Sequence, residues 1–592
     1  MLRASLRFYQ ASLQISKAEF LDAFTRVYPQ ALQDGPKKLG LAVSGGVDSM
    51  ALAFMCCEYL PRDRLELHAL IVDHGLRPTS SQEASQTSKV LTSRLGIRSH
   101  VLTLEKQGRD LKALETKARL WRYNALVECC RSEDIRDIMT AHHLGDQYET
   151  ILMRLAMAGS SFHVREISQA PRSLNHFAKE SLRCGWSVPS PKSVECFGVL
   201  GIPNLRISLR RPLLNFSKER LIATCHAANI PWVEDESNAD RKLTPRNAVR
   251  HIVRKHALPG ALSQSSLLEM ARHVGRRTAA VHSISKKILQ GTDLKLDVRT
   301  GSVVATLPTL ETVETMLHVS GFPSLQPSTA TLSWVIGTYL RSIASLVSHK
   351  DEAHQAVYSG KLSHLFGSPK ELKSFTFSHA LFEPLSNNRW IASSQPMRAN
   401  GLHKTRLEHA CIRYPYVLSP DQSRYKDFDG RWWVRVENPS DDTTLALRYM
   451  YLEDLRSLLQ RLKSGEIHIR DVNDPLGSPR NLNTILDSLG PYRLRWWLPI
   501  IVQRSSDFDT YLQRLSPLEQ LLEASNPRTP GAESIVAFPT LNLRIGGNEN
   551  AVPRWVKDLK WEMYYKSLDD FEDRLENMIV LPTTKESKGL VG

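Results

Sequence analysis

From residue 39 to residue 157, short apolar runs of strand length alternate with stretches of helical periodicity. Strands are expected at 39–43, across "LELHALIVDHG", near "SHVLTLE" and across "DIMTAHH"; helices are expected to about Leu60, over 80–96, over 111–131 and over 145–157. A chain that keeps returning to a strand through a helix builds a parallel sheet with right-handed crossovers. Ligands on such sheets bind beyond the carboxyl ends of the strands. The segments "SGGVDS", "DHG" and "AHH" all fall at such ends, so one cleft is expected to collect them.

The first of these segments carries the most chemistry. Ser44-Gly45-Gly46-Val47-Asp48-Ser49 joins an apolar strand to a helix. Glycines at that junction permit a tight turn and close approach, and the backbone N–H groups of the turn and helix start then face an anion, most often phosphate. Ser44 and Ser49 add hydroxyl donors. The loop is not a G-x-x-x-x-G-K-[ST] phosphate loop, because it has no lysine for a γ-phosphate. Asp48 instead offers a carboxylate for Mg2+ against phosphate oxygens. The arrangement suits gripping pyrophosphate as a leaving group while chemistry occurs at the α-phosphorus.

At 592 residues the chain has room for more than one domain, and its formal charge of +15 points to an acidic partner, nucleic acid first. No apolar run approaches the ~20 residues of a membrane-spanning helix, so no membrane partner is expected. The cysteines, Cys56, Cys57, Cys129, Cys130, Cys184, Cys196, Cys225 and Cys411, form no C-x-x-C pair, and reduced, mostly buried thiols are expected. The first sixteen residues contain Arg3 and Arg7, several serines and no acid, a composition that suits a mitochondrial transit peptide.

Further candidates lie along the same stretch. Asp73, His74 and Arg77 lie at the end of the second strand. Glu115, Arg119 and Arg122 share a helix face. In "AHHLGDQYET", His142 and His143 end a strand while Asp146 and Glu149 occupy one helical face. A metal is one reading of that group; carboxylates that hold a cationic amine are the other. In "PRNAVR", Arg246, Asn247 and Arg250 cluster as RNA phosphates would require. Residues 160–205 break the alternation and read as an insertion. Helix is expected over 217–229 and about 262–350, then short strands with tryptophan pairs that suit a core.

"SGGVDS" resembles the signature of the PP-loop (N-type ATP pyrophosphatase) superfamily. With "VDHGLRPTSSQEA" (72–84), "ETKARLWRY" (115–123), "AHHLGDQYETILMRL" (141–155), "RRPLL" (210–214) and "WVEDESNADRKLTPRNAVR" (232–250), the order resembles that of tRNA(Ile)-lysidine synthetases, over roughly residues 37–256. The resemblance implies an α/β parallel-sheet PP-loop ATPase domain over 17–256; it fades beyond 256, where a helical tRNA-contacting region over 257–350 and a mixed C-terminal region over 351–592, a candidate second grip on tRNA, are expected. It implies that ATP, with Mg2+ at Asp48, adenylates the C2 oxygen of the wobble cytidine of tRNA(Ile) with a CAU anticodon. Free L-lysine then displaces AMP. It assigns ATP to residues 44–49 with Asp73 and His74, the adenylate charge to Arg119, the lysine amine to Asp146 and Glu149, and tRNA to Arg246, Asn247 and Arg250. The mitochondrial matrix is the expected compartment. Gly145 stands where the family pattern has the first of two aspartates. A PP-loop tRNA thiolase and a tRNA-binding relative without catalysis are the alternatives.

Overall fold

In the computed structural model, the described residues are 13–29, 37–75, 79–104, 114–157, 207–234, 245–319, 328–348, 365–366, 372–386, 388–395, 416–418, 426–440, 443–450, 452–474, 478–487, 489, 498–505, 514, 533–548 and 552–566. Among them the chain divides into two compact units, one ending at Ala279 and one beginning at Ala280.

The first unit is built on a five-stranded sheet of β1 (Lys37–Val43), β2 (Leu65–Asp73), β3 (Arg98–Thr103), β4 (Asp137–Met139) and β5 (Ser208–Arg210), in the order β3-β2-β1-β4-β5. All its pairings are parallel, with Val43 beside Ile71 and Leu41 beside Met139. The apolar runs form strands because both faces are covered. On one face, α1 (Lys17–Val27), α2 (Val47–Tyr59), α3 (Ser80–Leu95) and α6 (Lys218–Ala227) share a core with β1 and β2. On the other, α4 (Leu114–Ser132) packs Tyr123, Leu126 and Val127 against Leu70, Ile138 and Leu209. The connection order reverses at β1, between β2 and β4. A crevice therefore opens beyond its carboxyl end, where residues 44–49 begin.

The expected transit peptide overlaps this unit. Ile15 is fully buried in the α1–α2 core, its N–H donates to Thr224 Oγ1 at 3.0 Å, and Arg220 Nε donates to the Leu13 carbonyl at 3.1 Å. Ser16 caps α1 in a capping box with Glu19, whose carboxyl the Arg220 guanidinium and the Ser16 N–H hold down to about 2. Residues 13–16, the end of the expected 1–16 segment, thus pack into this unit. Residues 1–12 lie outside the described residues, as does the expected insertion over 160–205.

The second unit is largely antiparallel. Its sheets are residues 294–297, 302–306, 389–394, 380–386 and 375–377 in that order; 416–418, 444–449, 499–504, 533–538, 543–547 and 467–471; and 426–428, 432–437 and 560–565. The helix expected over about 262–350 is present in three pieces. Helices Gln264–Gln290, Leu310–Val319 and Thr329–Val347 are interrupted by a hairpin, Leu294–Asp297 with Ser302–Thr306. Gly301 turns that hairpin at φ +62, a conformation glycine adopts without a Cβ penalty. Trp432 and Trp433 are buried, as expected of a core pair, and Trp432 Nε1 donates to the Val298 carbonyl at 2.9 Å. The other pair, Trp496 and Trp497, lies outside the described residues. Among the described helices none is long and apolar enough to cross a membrane.

Candidate active site

The glycine turn is held from within and from a distant segment. Ser49 Oγ donates to the Gly46 carbonyl at 2.9 Å and accepts from the Ser44 N–H at 3.2 Å. The Val233 N–H donates to the Gly45 carbonyl at 2.9 Å, so the "WVEDESN" segment braces the loop. Gly45 adopts φ +84, and a Cβ there would stand 2.6 Å from Thr87 Oγ1. A side chain at this position is excluded twice over. Gly46 is the N-cap of α2 and offers no side-chain cap, which leaves the first amides of the helix turned to the crevice. Val47 packs into the core, so its share in any ligand contact is its backbone.

Asp48 stands in the first turn of α2. Its Oδ1 is buried without a hydrogen-bond partner, while Oδ2 lies 3.8 Å from His143 Nε2. Burial lifts the Asp48 carboxyl above the ordinary carboxylate range, with Asp146 adding to the rise and His143, Lys218 and Arg250 opposing it. A buried carboxylate oxygen with no donor fits a hard cation, so Asp48 meets the requirement for holding Mg2+.

Beyond β4 the chain enters α5 (Leu144–Met157) and brings Asp146 and Glu149 to the same crevice. Asp146 Oδ2 accepts the His143 N–H at 3.0 Å. Burial would raise the Asp146 carboxyl, but His143, that N–H, His142 and Arg246 together hold it below the usual range. Glu149 is gripped from α7 (Pro245–Lys255), which packs on α5: Arg250 Nε donates to Oε1 at 2.7 Å and Arg246 Nε lies 3.2 Å from Oε2. Arg246 Nη2 also donates to Thr150 Oγ1 at 3.1 Å, and Arg250 Nη2 reaches Asp146 Oδ1 at 3.7 Å. The two arginines expected on RNA phosphates are therefore committed to the acidic residues expected to hold lysine. Asn247, between them, is buried.

Asp73 ends β2 and His74 follows it, but the Asp73 carboxylate is engaged. It accepts from the Gly75 N–H at 3.0 Å, Ser80 Oγ at 2.7 Å and Ser81 Oγ at 2.5 Å. Burial would raise this carboxyl; the two hydroxyls and the amide hold it below its ordinary value. Asp73 orders the β2–α3 turn. Arg119 lies on α4, with its side chain outside the described atoms.

The two histidines do not converge on an ion. His142 Nδ1 pairs with Thr140 Oγ1 at 2.9 Å, while His143 turns toward Asp48 and Asp146. A second titratable group, His68, His100 and Glu133, lies elsewhere on the sheet. There His68 Nδ1 and His100 Nε2 meet at 3.0 Å with nearly parallel ring planes and centroids 5.3 Å apart, the spacing of rings joined end to end by that bond. One of these nitrogens donates its N–H to the other, so the two face each other and not a shared metal.

The described cysteines are unpaired thiols, four buried and Cys57 half-buried. Cys225, whose Sγ is 3.6 Å from the Val47 carbonyl, is pushed up to about 12 by burial, with Asp48 adding to the rise. A sulfur relay needs a thiolate near neutral pH, and Cys225 does not provide one.

The PP-loop domain family matches residues 17–179 and 192–257. The probable tRNA(Ile)-lysidine synthase of Schizosaccharomyces pombe is 29% identical over 447 residues, 73% of this chain and 85% of that protein. The tRNA(Ile)-lysidine synthase of Novosphingobium aromaticivorans is 28% identical over 56% of this chain and 90% of its own length. That of Methylobacterium sp. is 34% identical over 41% of this chain and 59% of its own length. An N-terminal PP-loop domain, motifs in family order and similarity reaching far past that domain agree: the chain is similar to the tRNA(Ile)-lysidine synthases.

Proposed function

We propose that this enzyme modifies the wobble cytidine of a tRNA(Ile) bearing a CAU anticodon, consuming ATP and free L-lysine. The observation that carries the reading is the placement of Asp48, with an unpartnered buried oxygen at the start of α2, in the same crevice as Asp146 and Glu149. The Gly45-Gly46 turn and the uncapped start of α2 suit the phosphates of ATP. Asp48 would hold Mg2+, which would supply neutralising charge for pyrophosphate as a leaving group.

In the first step the C2 oxygen of cytidine attacks the α-phosphorus, a new P–O bond forms, and the bond to pyrophosphate breaks. That step turns a poor leaving oxygen into AMP. In the second, the neutral lysine ε-amine attacks C2, the C2–O bond breaks, AMP departs, and the nitrogen gives up a proton to water. Because His143 and its amide keep Asp146 ionised, Asp146 is suited to orienting the amine as a charged acceptor more than to taking its proton. Glu149, held by Arg250 and Arg246, fixes the second side of that subsite. Arg119 remains assigned to the adenylate charge on sequence grounds.

The mitochondrial matrix is the proposed location, supported by the arginine-bearing, acid-free residues 1–12. The test is incubation of the purified protein with ATP, lysine and this tRNA, followed by nucleoside mass spectrometry. Lysine-dependent conversion of cytidine with release of AMP supports the reading, and an unmodified cytidine despite bound ATP and tRNA refutes it.

A further inference from the structure

Gly145 marks a position where the family resemblance expects a carboxylate, and the structure shows what occupies the space. A Cβ built on Gly145 would stand 2.8 Å from His143 Cε1 and 3.1 Å from His143 Nδ1. The imidazole, almost fully buried, lies over the glycine, and the Gly145 N–H donates to Nδ1 at 3.0 Å. An accepting Nδ1 carries no proton, so the ring's N–H is at Nε2. That nitrogen is 3.8 Å from Asp48 Oδ2 and 3.7 Å from Asp146 Oδ2.

Resting on the proposed function above, we infer that His143 is a positioning residue that links the nucleotide-gripping and lysine-holding halves of the site, and that Gly145 is required to seat it. The Nε2–H stands between two carboxylates that would otherwise repel each other. The ring thereby fixes the spacing between Asp48, on the pyrophosphate side, and Asp146, on the amine side. In this chain the carboxylate missing at 145 is not a lost ligand: the vacated volume belongs to the imidazole. Nothing in the backbone demands glycine there, since Gly145 is not in the left-handed region. By helix propensity alone, Gly145→Ala in the first turn of α5 should stabilise the protein. Close contact with the ring is what opposes it.

The experiment is a double-mutant cycle on the full chain with His143→Ala, Gly145→Asp and the pair, plus Gly145→Ala, His143→Gln and His143→Asn. Three quantities are measured: the Kd of Mg-ATP by calorimetry, kcat and KM for lysine in the modification reaction, and Tm. Each single change in the cycle should lower kcat/KM for lysine at least tenfold and weaken Mg-ATP binding severalfold. The double variant should be no worse than His143→Ala alone, because the ring that Gly145→Asp displaces is already gone. His143→Gln, which can return an N–H near the Nε2 position, should recover part of the loss. His143→Asn, which can replace only the Nδ1 acceptor, should not. Gly145→Ala should impair activity without lowering Tm and stands in if Gly145→Asp does not fold. Additive losses in the double variant, or equal recovery by Gln and Asn, would overturn the inference. If the wild-type protein forms no modified cytidine, the functional reading fails by itself, while coupling in the Mg-ATP Kd still decides the role of His143.

Discussion

Arg250 Nε and Glu149 Oε1 lie 2.7 Å apart across 101 residues of sequence, and this pair joins the helix after β4 to the helix after the "WVEDESN" segment. A guanidinium so engaged is an organiser of carboxylates. Arg250→Ala should lower modification at saturating tRNA by about 100-fold, the scale of losing one preorganised electrostatic contact. Its tRNA affinity and salt dependence should stay near wild type. A phosphate-gripping arginine would do the reverse: weaker tRNA binding and a log–log salt slope reduced by about 1. Filter binding across a salt series separates the two.

Asp48 sets stability against function. Its carboxyl is raised by burial, so the ionised form at neutral pH costs folding free energy, and the native state takes up its proton more readily than the unfolded chain. The contribution to stability is greatest below the unfolded value and is lost as pH rises through the folded one. Asp48→Asn should therefore raise Tm by a few degrees at pH 7, with a smaller advantage in acid. It should also abolish pyrophosphate release while tRNA binding persists. Thermal melts from pH 4 to 8 with a pyrophosphate assay check both halves.

For Asp73 the sign is opposite. Its carboxyl is held below the ordinary value by Ser80, Ser81 and the Gly75 amide, so its stabilising contribution is present above about pH 4 and falls away as pH drops through the lower folded value. Asp73→Ala should destabilise the fold by about 1–3 kcal/mol, because three donors lose their acceptor. It should raise KM for ATP more than it lowers kcat. Denaturant titration and steady-state kinetics give the two numbers.

How much of this was legible in the sequence follows the range of each interaction. The strand–helix alternation, the glycine turn and the meeting of "SGGVDS" with "AHH" at one sheet edge are written in local periodicity and in the rule for parallel crossovers. The partners of side chains are not. "PRNAVR" reads as a basic cluster, and nothing local says that Arg246 and Arg250 turn inward to Glu149. Asp73 reads as a cleft carboxylate until Ser80 and Ser81 are seen to consume it. The hairpin over 294–306 carries a usable local signal, the alternating LKLD and the β-branched SVVAT on either side of Thr300-Gly301. The sheets of the second unit join strands far apart in sequence, and alternation alone does not order them.

The N-terminal boundary gives a further test. Ile15 is fully buried and Arg220 bonds the carbonyls of Leu13 and Gln14, so residues 13–16 contribute to the packing of this unit. A protein starting at Leu13 should melt within a degree or two of the full chain. One starting at Lys17 should lose about 2–5 kcal/mol, the scale of deleting one large buried aliphatic side chain. Sequencing the N-terminus of the protein recovered from its native cells checks the same boundary.

The most direct measurement is mass analysis of nucleosides from tRNA(Ile) with a CAU anticodon after reaction with the purified protein, ATP and isotopically labelled lysine. The account predicts a labelled cytidine derivative at the wobble position, one AMP and one pyrophosphate for each modification, and no product when lysine is withheld. Cytidine recovered unchanged, from a protein that binds both Mg-ATP and the tRNA, would contradict it.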